Sequence, residues 1–262
     1  MNTAGSTIGT HEPRGSLMHS AEHLHHYCTH HPALGALRRF NAHLASRAMD
    51  HSERVTFLAS MAAFNRHTVG GIPILAGRLS DQLLPICPRR GHEIGAFVLD
   101  AAVDEYGLRE SATHVELARA FAEHLGVAIE EVENRARACP AALELGDALY
   151  SWYRDRRVAF GLGAHSASET TSAQEFPAWR EIFLSFPEYG FVPESPQFEY
   201  MQAHCVHEPD HMDDARACLD RYLELLPANA LLVQDGMRAY LSLYQRMFEQ
   251  LDSRLFAAGG TA

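Results

Sequence analysis

From His31 to Phe256 the apolar residues recur at helical spacing, and no stretch sustains the strict alternation that a half-buried strand needs. That periodicity limits the chain to helix-on-helix packing. Pro32 opens a first amphipathic helix over ALGALRRFNAHLASRAM, with proline in its opening turn. A second runs from Ser52 to Thr68, with Val55, Leu58, Ala59, Ala62, Ala63 and Phe64 inward and Gly70 and Gly71 as its break. Helices follow over Pro73 to Leu84, His92 to Tyr106 and Thr113 to Leu125, the last two ended by Gly107 and Gly126, and then a short, more exposed one over Val127 to Ala138. Pro140 opens a long helix that reaches past Ala167, and Pro177 to Phe186 forms a short one. A loop holding Pro187, Gly190, Pro193 and Pro196 leads to a buried helix from Phe198, and Ala228 to Phe256 is the last. About ten helices with no strand predict an all-α fold, a single helical bundle over residues 31–256. Residues 1–30 read as a disordered, His-rich leader in which His19, His23, His25, His26 and His30 crowd together, and residues 257–262 read as a frayed tail.

The chemistry concentrates in FEYMQAHCVHEPDHMDDARACL, which packs three histidines and a glutamate into the eight residues from His204 to His211. At about 100° per residue, His204, Glu208 and His211 fall within about 60° of one another on a helix, and His207 lies about 60° to one side of His204. Phe198, Met201, Ala203, Val206, Met212, Ala215 and Leu219 around them predict a buried helix, where ionisable groups must be paired or bound to a metal.

One helix supplies one side of a metal centre, so other helices must complete it. FVLDAAVDEYGLRESATHVELARAFAEHLG offers Asp104 or Glu105 at the end of one helix and His114 early in the next. On a straight helix Glu105 and His114 would face opposite ways, so their convergence requires a turn at Gly107. VAFGLGAHSASETTSAQEF offers Glu169, with His165 one turn earlier on the same face and small residues around both. Glu105, His114, Glu169, His204, Glu208 and His211 together give three carboxylates and three imidazoles, with Asp104, His165 and His207 as secondary candidates. Two ferrous ions carry four positive charges against those three carboxylates, and mixed nitrogen and oxygen ligands without thiolate suit non-haem iron or manganese.

Composition removes other chemistries. The net charge is −11, from 22 Lys+Arg against 33 Asp+Glu, which argues against nucleic acid or an anionic membrane as partner. All of the cations are arginine, so lysine Schiff bases, pyridoxal phosphate and phosphate loops are excluded. GLGAHS at Gly161 lacks the third glycine of a dinucleotide fingerprint, and no GxSxG elbow occurs. The five cysteines are scattered and never in CxxC spacing, and no stretch approaches 18 apolar residues. A cytoplasmic protein is the expectation, with a small-molecule substrate and at most a second copy of the chain, as a homodimer, for partners.

At these residues the chain resembles the haem-oxygenase-like di-iron oxidases, relatives by fold of haem oxygenase, of thiaminase-type proteins and of the pyrroloquinoline quinone synthase. That family's pattern is DExG…H, then a mid-helix glutamate, then HxxxDxxH. It reads here as DEYGLRESATH with Glu105 and His114, GAHSASE with Glu169, and HCVHEPDH with His204, Glu208 and His211. The likeness extends over most of residues 30–250 in motif order and helix pattern. It implies two Fe(II) per chain, O2 as co-substrate and a biosynthetic oxidation of an amino-acid-derived or fatty-acid substrate by N-oxygenation, desaturation or C–C cleavage. Two departures stand out: glutamate replaces the aspartate of the late motif, and Pro209 inside it predicts a kinked helix.

Two other readings compete. His207-Glu208-Pro209-Asp210-His211 also matches the HExxH of zinc peptidases, with Glu224 as the obvious third ligand. A metal-free enzyme or binding protein of the same fold would use the cluster as a polar pocket, with Cys205 as its thiol.

Overall fold

The computed structural model describes residues 20–65, 68–108, 112–154 and 157–256. Among these residues eleven α-helices follow in order: α1 Ala21–Thr29, α2 Pro32–Leu44, α3 His51–Asn65, α4 Thr68–Leu83, α5 Pro88–Glu105, α6 His114–His124, α7 Ile129–Val132, α8 Pro140–Arg154, α9 Val158–Ser185, α10 Glu199–Leu225 and α11 Ala230–Phe256. No strand occurs among the described residues, as the periodicity predicts.

The bundle is built round α9. Every residue from Val158 to Thr171 is buried, so this half of the helix has no solvent face and the other helices pack round it. α10 and α11 lie along it, and α2, α4 and α8 complete the ring. Its small residues set how near those neighbours come: a Cβ on Gly163 would strike the Val233 carbonyl, and one on Gly236 would strike the Phe160 carbonyl. The α9–α11 contact is therefore backbone on backbone, which only glycine permits. At the far end of α9 an aromatic cluster of Phe40, Phe57, Trp179, Phe183 and Phe248 closes the core.

Several local expectations are corrected. The leader is not disordered to residue 30: Ser20 caps α1 by accepting from the His23 amide at 3.2 Å, and Leu24 and Cys28 are wholly buried. The helix is short and rich in histidine, which hid its one-sided apolar spacing. Residues 1–19 of the leader and the tail 257–262 lie outside the described residues. Gly70 and Gly71 do not break a helix but belong to α4, with Gly71 facing Tyr153 of α8. The helix from Pro140 ends at Arg154, and Pro177 lies inside α9 rather than opening a helix of its own. Burial of Phe176, Trp179 and Phe183 carries α9 past the amide that Pro177 lacks. Pro209 likewise leaves α10 unbroken from Glu199 to Leu225. Its position is exposed, and its missing amide costs the helix only the bond to the Cys205 carbonyl.

Candidate metal centre

α10 turns His204, Glu208 and His211 inward, against α9, α5 and α6, and all three are buried. α5 ends on Asp104 and Glu105, and Gly107, at φ 68°, reverses the chain in the left-handed region that favours glycine. α6 then opens on His114 behind a capping box between Thr113 and Glu116. The result is a His114 Nδ1 to Glu105 Oε2 separation of 3.6 Å. From α9, Glu169 reaches the same region.

The six residues fall into two triads. In the first, one ligand atom each from Glu105, His114 and His204 lie within 4.8 Å of one another. His204 Nδ1 is 2.8 Å from the Tyr200 carbonyl oxygen, which can only accept, so Nδ1 carries the proton and Nε2 is left as the donor lone pair. Phe176 stacks on the same ring at 3.8 Å. Burial, helped by His114, holds the His204 pKa well below the ordinary 6.5, which keeps it in the neutral, ligating form.

In the second triad Glu169, Glu208 and His211 meet the same 4.8 Å condition. His211 Nδ1 lies 3.9 Å from Glu169 Oε2 and 3.9 Å from Glu208 Oε2. Its Nε2 is 2.7 Å from Asp104 Oδ2, a wholly buried carboxylate. Glu169 is flanked by His165, whose Nδ1 is 3.2 Å from Oε1. Burial holds His165 at about 3, so it is a neutral ring that can donate one proton there.

The second triad is strained electrostatically. Burial pushes Glu169 up to about 7 and Glu208 well above its ordinary value, and the neighbouring carboxylates add to the shift of each. Glu105 opposes the ionisation of both, so the two triads share one field. Glu208 Oε2 is buried and accepts no hydrogen bond among the described residues. Buried carboxylates in this state are relieved either by a proton or by a cation. Three carboxylates and three imidazoles without thiolate fit iron.

The secondary candidates take supporting places. Asp104 groups with Asp100 and His211, where it bonds the imidazole that Glu169 and Glu208 also face. His165 pairs with Glu169, and His207 Nδ1 lies 3.7 Å from Asp104 Oδ2, outside both triads. Asp104 thus stands close to both histidines of the HExxH pattern, whose rings are 6.4 Å apart. Glu224, the third ligand that the zinc reading needs, is exposed and 3.8 Å from Arg90. The Cys205 thiol is raised by burial, the opposite of what a nucleophile requires. Four neighbours escaped the sequence reading. Asp100 stands one turn before Asp104, a spacing that could have found it. Phe176 and Tyr200 look like core residues, and Glu175 lies about 120° round the helix from Glu169.

Residues 76–245 match the profile of a family described as iron-containing redox enzymes. Two crystal structures of a CADD-like protein of unknown function from Nostoc punctiforme PCC 73102 have the same fold. One has a TM-score of 0.69 at 17% identity and covers 92% of this chain and 96% of that protein. The other has a TM-score of 0.67 at 18% identity and covers 89% and 96%. No curated protein matches the chain. The matched segment holds both triads whole, and the chain belongs to the haem-oxygenase-like family of iron-containing redox enzymes.

Proposed function

We propose that the protein is an O2-dependent non-haem di-iron oxidoreductase. Glu105, His114 and His204 would hold one ferrous ion, and Glu169, Glu208 and His211 the other. The observation that carries this reading is the pair of triads, buried but for the half-buried Glu105, with His204 and Glu208 one turn apart on α10. Bound there, the two ferrous ions supply electrons for the reduction of O2.

The chain's own residues prepare the site. The Tyr200 carbonyl and Asp104 each hold one ring nitrogen, of His204 and His211, and so fix which nitrogen faces the cluster. His165 steadies Glu169. Phe176 covers the His204 ring and keeps water from that side. The three triad carboxylates and Asp104 match the four positive charges of two ferrous ions.

The substrate on this reading is a small amino-acid-derived or fatty-acid molecule, and the outcome N-oxygenation, desaturation or C–C cleavage. No helix among the described residues is long and apolar enough to cross a membrane, and the five cysteines are unpaired, which supports a reducing cytoplasm as the place of action. A homodimer is part of the same proposal.

An oxygen electrode tests it. Protein loaded anaerobically with Fe(II) should consume O2 on mixing, faster than the same iron in buffer, while zinc-loaded and metal-free protein should not. Full iron content with no uptake beyond the buffer control would overturn the reading.

A further inference from the structure

Beside the first triad lies a cavity of about 30 Å³, half of whose lining residues are aromatic: Phe57, Phe64, Phe121, Phe176, Trp179 and Tyr200. Two of these residues join it to the triad: Phe176 stacks on the His204 ring at 3.8 Å, and the Tyr200 carbonyl holds His204 Nδ1 at 2.8 Å. The one acid in this aromatic lining is Glu175, on α9 and 2% exposed. Tyr244 donates to its Oε1 at 2.7 Å.

An acid set among aromatic faces is a recognition site for a cation. The carboxylate supplies the counter-charge, and the ring faces attract a positive group by their quadrupoles. No positively charged side chain lines it for an anion to meet, and its polar members besides Glu175 are the neutral Asn65, Ser172 and Tyr200. The lining contains no arginine or histidine, and Glu105 and Glu208 add negative potential at Tyr200, one of its members. Burial pushes the Glu175 carboxyl up to about 8, as suits an acid that ionises when a cation arrives. A water needs about 10–15 Å³ measured this way, so the space admits an ammonium group and a slim stem, not a ring.

We propose that this cavity binds the ammonium end of a primary alkylamine substrate, with Glu175 as its counter-ion. That the bound amine is the molecule oxidised rests on the di-iron reading above; that the cavity binds amines does not. The site favours amino-acid-derived or other amine substrates over fatty acids.

The test uses n-butylamine and butyrate as probes in calorimetric titrations of the full chain, iron-free and Fe(II)-loaded. Butylamine should bind both forms, and butyrate should bind at least about tenfold more weakly. Glu175→Gln keeps the Tyr244 bond and the side-chain shape. It should weaken butylamine binding by about tenfold or more while the iron content stays at the wild-type value. Butyrate binding as tightly as butylamine to the wild-type chain would overturn the proposal without need of a variant. So would an unchanged butylamine affinity in Glu175→Gln. A wild-type chain that binds butylamine but no iron would contradict the metal assignment and leave the cavity assignment standing.

Discussion

His211 offers Nε2 to Asp104 Oδ2 at 2.7 Å while its Nδ1 faces Glu169 and Glu208 at 3.9 Å, so one imidazole ties a carboxylate outside the second triad to two within it. If Asp104 fixes the His211 tautomer, its removal should weaken iron at the second triad and spare the first. Asp104→Ala is expected to lower affinity for one of the two ions by about 10–100-fold. Asp104→Asn should be milder, because an amide oxygen still accepts from Nε2. Anaerobic Fe(II) titration of both variants checks this.

Glu208 separates stability from function. Its carboxyl is buried among Glu169, Glu105 and Glu175, and one oxygen accepts no hydrogen bond among the described residues. Glu208→Gln should therefore stabilise the iron-free protein, by on the order of 1 kcal/mol, and abolish one iron site. Glu208→Asp keeps the charge and changes only the reach, so it should retain more iron. Thermal unfolding with and without Fe(II) reads both effects.

The pH dependence of the iron-free protein follows from the same groups. Glu169 and Glu175 have pKa values raised from 4.5 to about 7 and about 8, so the folded state holds protons that the unfolded state has lost, and their ionisation lowers stability as pH rises to about 8. His165 and His204 are depressed below 6.5, so the unfolded state takes up protons first and stability falls as pH drops below 6.5. The two trends oppose each other between 4.5 and 6.5. Melting temperature should thus fall from pH 6.5 to 8 in the iron-free chain, and Glu169→Gln should flatten that fall.

The contact of α9 with α11 gives a prediction of opposite sign to helix propensity. Alanine for glycine in a helix interior ordinarily stabilises by about 1 kcal/mol. At Gly163 the added methyl meets the Val233 carbonyl, a backbone atom that cannot swing aside. Gly163→Ala should destabilise by about 1–3 kcal/mol, measured by denaturant unfolding.

Much of this was legible in the sequence because helical spacing encodes which residues share a face. His204, Glu208 and His211 could be grouped from number alone, and Glu105 with His114 needed only the turn at Gly107. Packing was not legible. Gly71 and Pro177 read as punctuation, yet tertiary contact holds both inside helices. Asp104 and Glu105 are sequence neighbours about 100° apart, and only the placement of α10 and α6 sends one to His211 and the other to His114. Glu175 showed nothing in the sequence, because its partner Tyr244 is 69 residues away.

The central claim is that the two triads hold two ferrous ions, and anaerobic Fe(II) binding counted per chain tests it most directly. The account predicts two ions for the wild-type chain and one for His204→Ala, which removes a ligand of the first triad and leaves Glu169, Glu208 and His211 in place. A single ion in the wild-type chain, or an unchanged count in His204→Ala, would contradict it.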